Sequence, residues 1–241
     1  MASLPLTGGC LCGGVRYEVV LEPESASYCH CTRCQRRTGT AASAQARSVG
    51  RPSRGEFRAR FRVFMGVIRE YGGKRPVLGE RVYLAETAAV IGDVVLGDDV
   101  SVWYNSVVRG DCHFIRIGAR SNIQDNCAIH VTAGTHPTIL EEEVTLGHGA
   151  IVHGATVRKG ALNGIRATVM DGVDVGASAF IGAGALVTPG KVVPPRTLWL
   201  GAPARQVKTL SDAEVEDLKH FHRNYLGYKE EYFRVDGKWA R

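Results

Sequence analysis

The chain has 241 residues, 44% apolar and 22% charged, and no run near the roughly 18 consecutive apolar residues of a membrane span, which excludes an integral membrane protein. Its net charge of +6 is local: residues 1–75 carry 13 Lys+Arg against 5 Asp+Glu and residues 76–241 carry 17 against 19, which favours a solvated basic linker over a nucleic-acid surface. Met1 to Cys10 show no basic region followed by an apolar core, so no secretory signal is read and a cytoplasmic protein with reduced thiols is expected.

The first feature along the chain is a cluster of thiols, Cys10 and Cys12 followed by Cys29, Cys31 and Cys34. In a reducing compartment such spacing reads as metal binding, not as a disulfide framework. The segment Gly9-Cys10-Leu11-Cys12-Gly13-Gly14 with Cys29-His30-Cys31-Thr32-Arg33-Cys34 resembles the opening of the glutathione-dependent formaldehyde-activating enzyme family, also called the centromere protein V family, through about residue 45. The resemblance implies a second metal site, zinc on these five cysteines, and carbon–sulfur lyase chemistry as a minor functional alternative. The later Cys-x-x-Cys that completes that family's structural site is missing, and Cys112 and Cys127 are 15 positions apart. Two thiolates do not close a four-ligand zinc site. Residues 1–48 are therefore expected to be a truncated zinc-binding segment, followed over 49–71 by a basic linker around Pro52 and Gly55.

An aliphatic residue then recurs every six positions, through Leu84, Val90, Leu96, Val102 and Val108, then Ile117, Ile123 and Ile129, then Leu146 and Val152. After a slip of one it continues through Val157, Asn163, Val169, Val175, Ile181 and Val187. Period six fits a short strand and a tight turn, three of which make one triangular coil of a β-solenoid with the aliphatic positions inward. The hexapeptide form resembles the left-handed parallel β-helix over about residues 78–195, and the resemblance supplies the handedness. The predicted fold is mainly β, with a β-helix domain over 72–205. Asn163 falls on an inward position, where an unpaired amide costs on the order of 1–3 kcal/mol. Val131 to Glu143 interrupt the phase and are predicted to form a loop. Ser211 and Glu214 make a capping box, and Val215, Leu218, Phe221, His222 and Tyr225 lie on one face of the helix it starts, within a carboxy-terminal segment over 206–241.

The histidines bracket the interruption. His130, His148 and His153 are separated by 18 and 5 residues, and 18 is one coil of three hexapeptides, which predicts His130 and His148 on neighbouring coils. Three imidazoles with one position left for water are what a hydrating or hydrolytic zinc site requires, and three surface or packing histidines are the alternative. The flanking series is Arg109-Gly110-Asp111, Asn122-Ile123-Gln124-Asp125-Asn126, Ile129-His130-Val131 and Gly147-His148-Gly149-Ala150-Ile151-Val152-His153-Gly154. With Trp103-Tyr104 upstream and Gly201-Ala202-Pro203-Ala204-Arg205 downstream, it resembles the γ-class carbonic anhydrases from about Gly72 to Tyr225.

The resemblance implies reversible hydration of carbon dioxide to bicarbonate by metal-hydroxide attack. His130, His148 and His153 would hold Zn²⁺, or Fe²⁺ or Co²⁺, in a homotrimer, with His148 from one subunit and His130 and His153 from its neighbour. Arg109 and Asp111 would form an intersubunit ion pair, and Gln124 and Asp125 would hold the metal's water. The family's shuttle glutamates are missing, since position 112 is Cys112, and His113, His136 and Glu141 are the candidates left for the proton. Arg166 replaces a glycine near the expected pocket and reads as an oxyanion donor, a steric block or a solvated residue. A hexapeptide acyltransferase or thioesterase acting on acyl-CoA, and a non-catalytic trimeric scaffold, are the other functional readings of the same repeat.

Overall fold

The computed structural model describes residues 66–236, with side chains to Arg234, and the backbone of four strands nearer the amino terminus. The chain divides into two units, Met1–Phe64 and Met65–Arg241. In the first, Leu6–Gly9 pairs antiparallel with Arg16–Val19, and Ser25–Cys29 pairs antiparallel with Ser43–Arg47. Cys29 ends one of these strands. The positions of Cys10, Cys12, Cys31 and Cys34, and the side chains of all five amino-terminal cysteines, lie outside the described residues.

The second unit is a left-handed parallel β-helix of about seven turns closed by one helix. Its first strand, Val67–Arg69, pairs with Ala89–Leu96 and so lies within the stretch read as linker. One wall stacks Val90, Val108, Ile129, Val152, Val169 and Val187 in register, each buried. A second stacks Leu96, Ile117, Leu140, Val157, Val175 and Val193. The third stacks Leu84, Val102, Ile123, Leu146, Asn163 and Ile181. Side chains alternate in and out along each strand, so every sixth residue meets its counterpart one coil away. Each aliphatic side chain removed from water in this way contributes about 1.5–3 kcal/mol.

The interruption is shorter than the sequence predicts. Thr132 and His136 bridge to close a tight loop, and Thr138–Leu140 returns to the solenoid as a strand between Val107–Ile117 and Thr156–Val157. Thr138 and Leu140 point inward and are buried, so their alternation overrides the broken phase.

The helix Asp212–Asp236 begins at the capping box: the Ser211 N–H donates to Glu214 Oε2 at 3.0 Å and the Glu214 N–H to Ser211 Oγ at 3.3 Å. Leu218, His222 and Lys229 are buried, whereas Phe221, read as part of the packed face, is exposed. The helix packs through Tyr225, as its spacing predicts, and through Tyr232, which meet Trp103 edge-on at 5.2 and 5.1 Å between ring centres. Lys229 donates to the Arg81 carbonyl at 3.1 Å and to Asp99, which fixes the helix to the third wall.

Candidate metal centre

The strands Ala128–His130 and Ile151–His153 lie side by side in register Ala128↔Ile151, Ile129↔Val152 and His130↔His153. Because Ile129 and Val152 point inward, the two histidines point outward together. His130 Nδ1 stands 3.0 Å from His153 Nε2. The partner one coil from His130 is thus His153, at a separation of 23 residues, not His148 at 18; the inserted loop adds the difference. Thr138 Oγ1 secures the pair, donating to the His130 carbonyl at 2.6 Å and accepting from the Gly154 N–H at 2.9 Å.

Each of the three predicted histidines rests on a carboxylate through one ring nitrogen. His130 Nε2 lies 3.0 Å from Asp111 Oδ1, His148 Nδ1 2.8 Å from Asp125 Oδ2, and His153 Nδ1 2.7 Å from Asp171 Oδ1. A carboxylate there accepts the N–H, fixes the tautomer and leaves the other nitrogen free to bind. Burial works to raise Asp111 and Asp171, but His130 with Arg109, and His153 with Thr132, outweigh it and hold both carboxyls below the usual range. Asp171 was not read from the sequence; its one signal is its place 18 residues, one coil, beyond His153. It approaches so closely that a Cβ on Gly154 would sit 2.1 Å from Asp171 Oδ1, so glycine is required there, at φ +58°.

His148 stands on a turn and is half-exposed, and among the described residues it does not gather with His130 and His153 into one cluster. It lines a cavity of about 430 Å³ with Gln124, Leu162, Phe180 and Tyr225, between the third wall and the helix. The Tyr225 hydroxyl is 3.5 Å from His148 Nε2, and burial pushes its phenol up to about 12. Gln124 is buried, and its amide donates to Asn122 Oδ1 at 3.2 Å. Asp125 braces His148 and accepts the Tyr104 N–H at 3.1 Å. Arg109 pairs with Asp111 inside the one chain, where the resemblance implies a pair between subunits.

The remaining candidates separate. Glu141 is committed to Arg158 at 3.2 Å and to the Lys159 N–H at 2.8 Å. His113 Nδ1 accepts the Phe114 N–H at 2.8 Å, and half-buried His136 lies over Gly154 and Gly172. Cys112 is exposed with Sγ 3.6 Å from the Val131 carbonyl, its thiol raised by partial burial and by Asp111. Cys127 is buried packing, its thiol pushed up to about 12 by desolvation. Arg166 is exposed at φ +57°, and its N–H donates to the His148 carbonyl at 2.9 Å.

The residues present fit a divalent metal. Two nitrogens on one tetrahedral zinc at 2.0–2.1 Å stand about 3.3 Å apart, and the His130 and His153 nitrogens are already at 3.0 Å. Zinc, iron(II) and cobalt(II) all accept imidazole ligands.

The chain is 42% identical over 169 residues to the carbonic anhydrase of Geobacillus kaustophilus, covering 70% of this chain and 92% of that protein. It belongs to the γ carbonic anhydrase family. It is also 38% identical over 172 residues to the protein named Gamma carbonic anhydrase 1, mitochondrial, of Arabidopsis thaliana, spanning 69% of this chain but only 61% of that relative's length. Among solved structures, a hexapeptide transferase family protein from Anaplasma phagocytophilum matches with a TM-score of 0.66 at 34% identity, over 69% of this chain and 98% of that one. Residues 5–51 match the family model of the glutathione-dependent formaldehyde-activating enzyme. Both resemblances read from the sequence are thereby borne out. Among the described residues no helix is long and apolar enough to cross a membrane.

Proposed function

We propose that this protein hydrates carbon dioxide reversibly to bicarbonate at a zinc, iron(II) or cobalt(II) site shared between subunits of a cytoplasmic homotrimer. The observation that carries this reading is the convergence of His130 Nδ1 and His153 Nε2 at 3.0 Å, each imidazole held from behind by its own aspartate. His148 of an adjacent subunit supplies the third nitrogen. A row of outward residues beside the pair, Val107, Ala128 and Ile151, is exposed in the single chain and suits coverage by that subunit.

With the metal bound, the chemistry supplied is that of a Lewis acid, which lowers the pKa of coordinated water from 15.7 to about 7. The chain's own residues do the rest. Asp111, Asp125 and Asp171 keep the three imidazoles in binding tautomers. Arg109 holds Asp111 in its ionised form. Gln124, at the wall of the His148 cavity, orients the attacking oxygen by a hydrogen bond, and the apolar faces of Leu162, Phe180 and Tyr225 exclude bulk water from an uncharged substrate. His136, half-buried above the Asp171–His153 pair, passes the proton to buffer. The amino-terminal cysteines hold a separate zinc ion.

The test is complementation. His130→Ala and His148→Ala should each abolish hydration measured by stopped flow, and co-expression of the two should restore part of it, because mixed trimers regain an intact site. Restoration by neither mixture nor added metal would overturn the reading. A second reading, hydrolysis or transfer of an acyl thioester, draws on the cavity of about 430 Å³ beside His148, far larger than a three-atom substrate needs. Acyl-CoA turnover that survives loss of all three histidines would favour it.

A further inference from the structure

The long strand Val107–Ile117 loses its register with Ala89–Leu96 between Gly110 and Ile115, so residues 111–114 leave the ladder. This irregularity turns Asp111 and Cys112 over the end of the neighbouring strand. Asp111 Oδ1 meets His130 Nε2 at 3.0 Å, and Cys112 Sγ meets the carbonyl of Val131, the residue after His130. One ligand atom from each of Asp111, Cys112 and His130 therefore lies within 4.8 Å of the others. The hydration site proposed above uses the opposite edge of His130, its Nδ1, and leaves the Cys112 thiol without a role.

We infer that Asp111, Cys112 and His130 Nε2 form a second cation site, complete within one chain, for a thiophilic divalent ion. The donor set is one sulfur, one nitrogen and one oxygen, which suits a soft or borderline cation and not magnesium or calcium. Bonds of 2.0–2.3 Å to a tetrahedral ion place such donors about 3.3–3.6 Å apart, so side-chain rotation of roughly 1 Å closes the site. A fourth position opens on a cavity of about 380 Å³ lined by Tyr71, Lys74, Asp93, His113 and Phe114, which supplies entry from solvent and room for a water ligand. Binding releases the Cys112 proton to buffer and moves the His130 Nε2 proton to Nδ1, or to buffer where Nδ1 already holds a metal, and the cation takes the place of the hydrogen bond between Asp111 and His130. This site stands whether or not the hydration reading does, because it needs no residue from another subunit.

Cadmium-113 serves as the probe, loaded into the metal-free full chain and read by NMR. The wild type should give one resonance in the range of single-thiolate, mixed nitrogen and oxygen ligation, apart from any multi-thiolate signal of the amino-terminal cysteines. That resonance should persist in His148→Ala, which removes only the shared site, and vanish in Cys112→Ser and in His130→Ala. Its absence from the wild type, or its survival in Cys112→Ser, would overturn the proposal. As a second measurement, cadmium should slow iodoacetamide labelling of Cys112, mapped by mass spectrometry, at least tenfold in the wild type and His148→Ala but not in His130→Ala. Equal labelling rates with and without cadmium in the wild type would also overturn it.

Discussion

His153 and Asp171 stand one coil apart on the same outward edge, with Nδ1 of the imidazole 2.7 Å from the carboxylate and Gly154 left bare to admit it. The carboxylate also accepts the Thr132 hydroxyl at 2.9 Å, so the loop that interrupts the repeat helps to aim the histidine. Asp171→Asn preserves shape but removes the charge that fixes the tautomer. It is expected to weaken metal affinity about 10–100-fold with the fold unchanged. Competition against a chromophoric chelator, with circular dichroism as the control, checks this.

Asn163 occupies the inward column between Leu146 and Ile181, fully buried, and neither its amide nitrogen nor its oxygen has a hydrogen-bond partner. Asn163→Leu removes two unsatisfied groups and restores the aliphatic stack. Unfolding free energy from urea denaturation should rise by about 1–3 kcal/mol. A fall would mean that the amide is partnered in solution.

Glu214 receives the Ser211 N–H and pairs with Lys208. These interactions, the Lys208 contact first, pull its carboxyl down to about 2. Its folded value lies below the unfolded one of about 4.3, so its contribution is complete above that value and is lost as pH falls through about 2. Carbon-13 NMR of the Glu214 carboxyl should show a midpoint near 2, and Ser211→Ala should move it upward.

Ile151 lies in the exposed row beside the histidine pair. Placing a charge there sets an unpaired carboxylate in the proposed subunit contact. Ile151→Asp should convert a trimer into monomers by light scattering and lower metal retention, while the circular dichroism spectrum stays that of the wild type. An unchanged mass would remove this wall from the contact.

The solenoid follows from the six-residue aliphatic period alone, because that period has one economical solution: inward residues stacked coil on coil, each buried only by its neighbours. The capping box follows from the sequence as well, since Ser211 and Glu214 interact across a single turn. What lies between coils was decided by the tertiary structure. Counting 18 residues from His130 leads to His148, yet the loop between Val131 and Thr138 lengthens that coil and brings His153 alongside instead. Asp171 and Cys112 gain meaning only from the stacking and from the break in the Val107–Ile117 ladder. On the helix, spacing alone suggested that Phe221 packs, but the path of the helix against Trp103 buries Lys229 and leaves Phe221 in solvent. Local spacing sets which way a side chain points within its own coil, and the length of each coil, loops included, sets which side chain it meets.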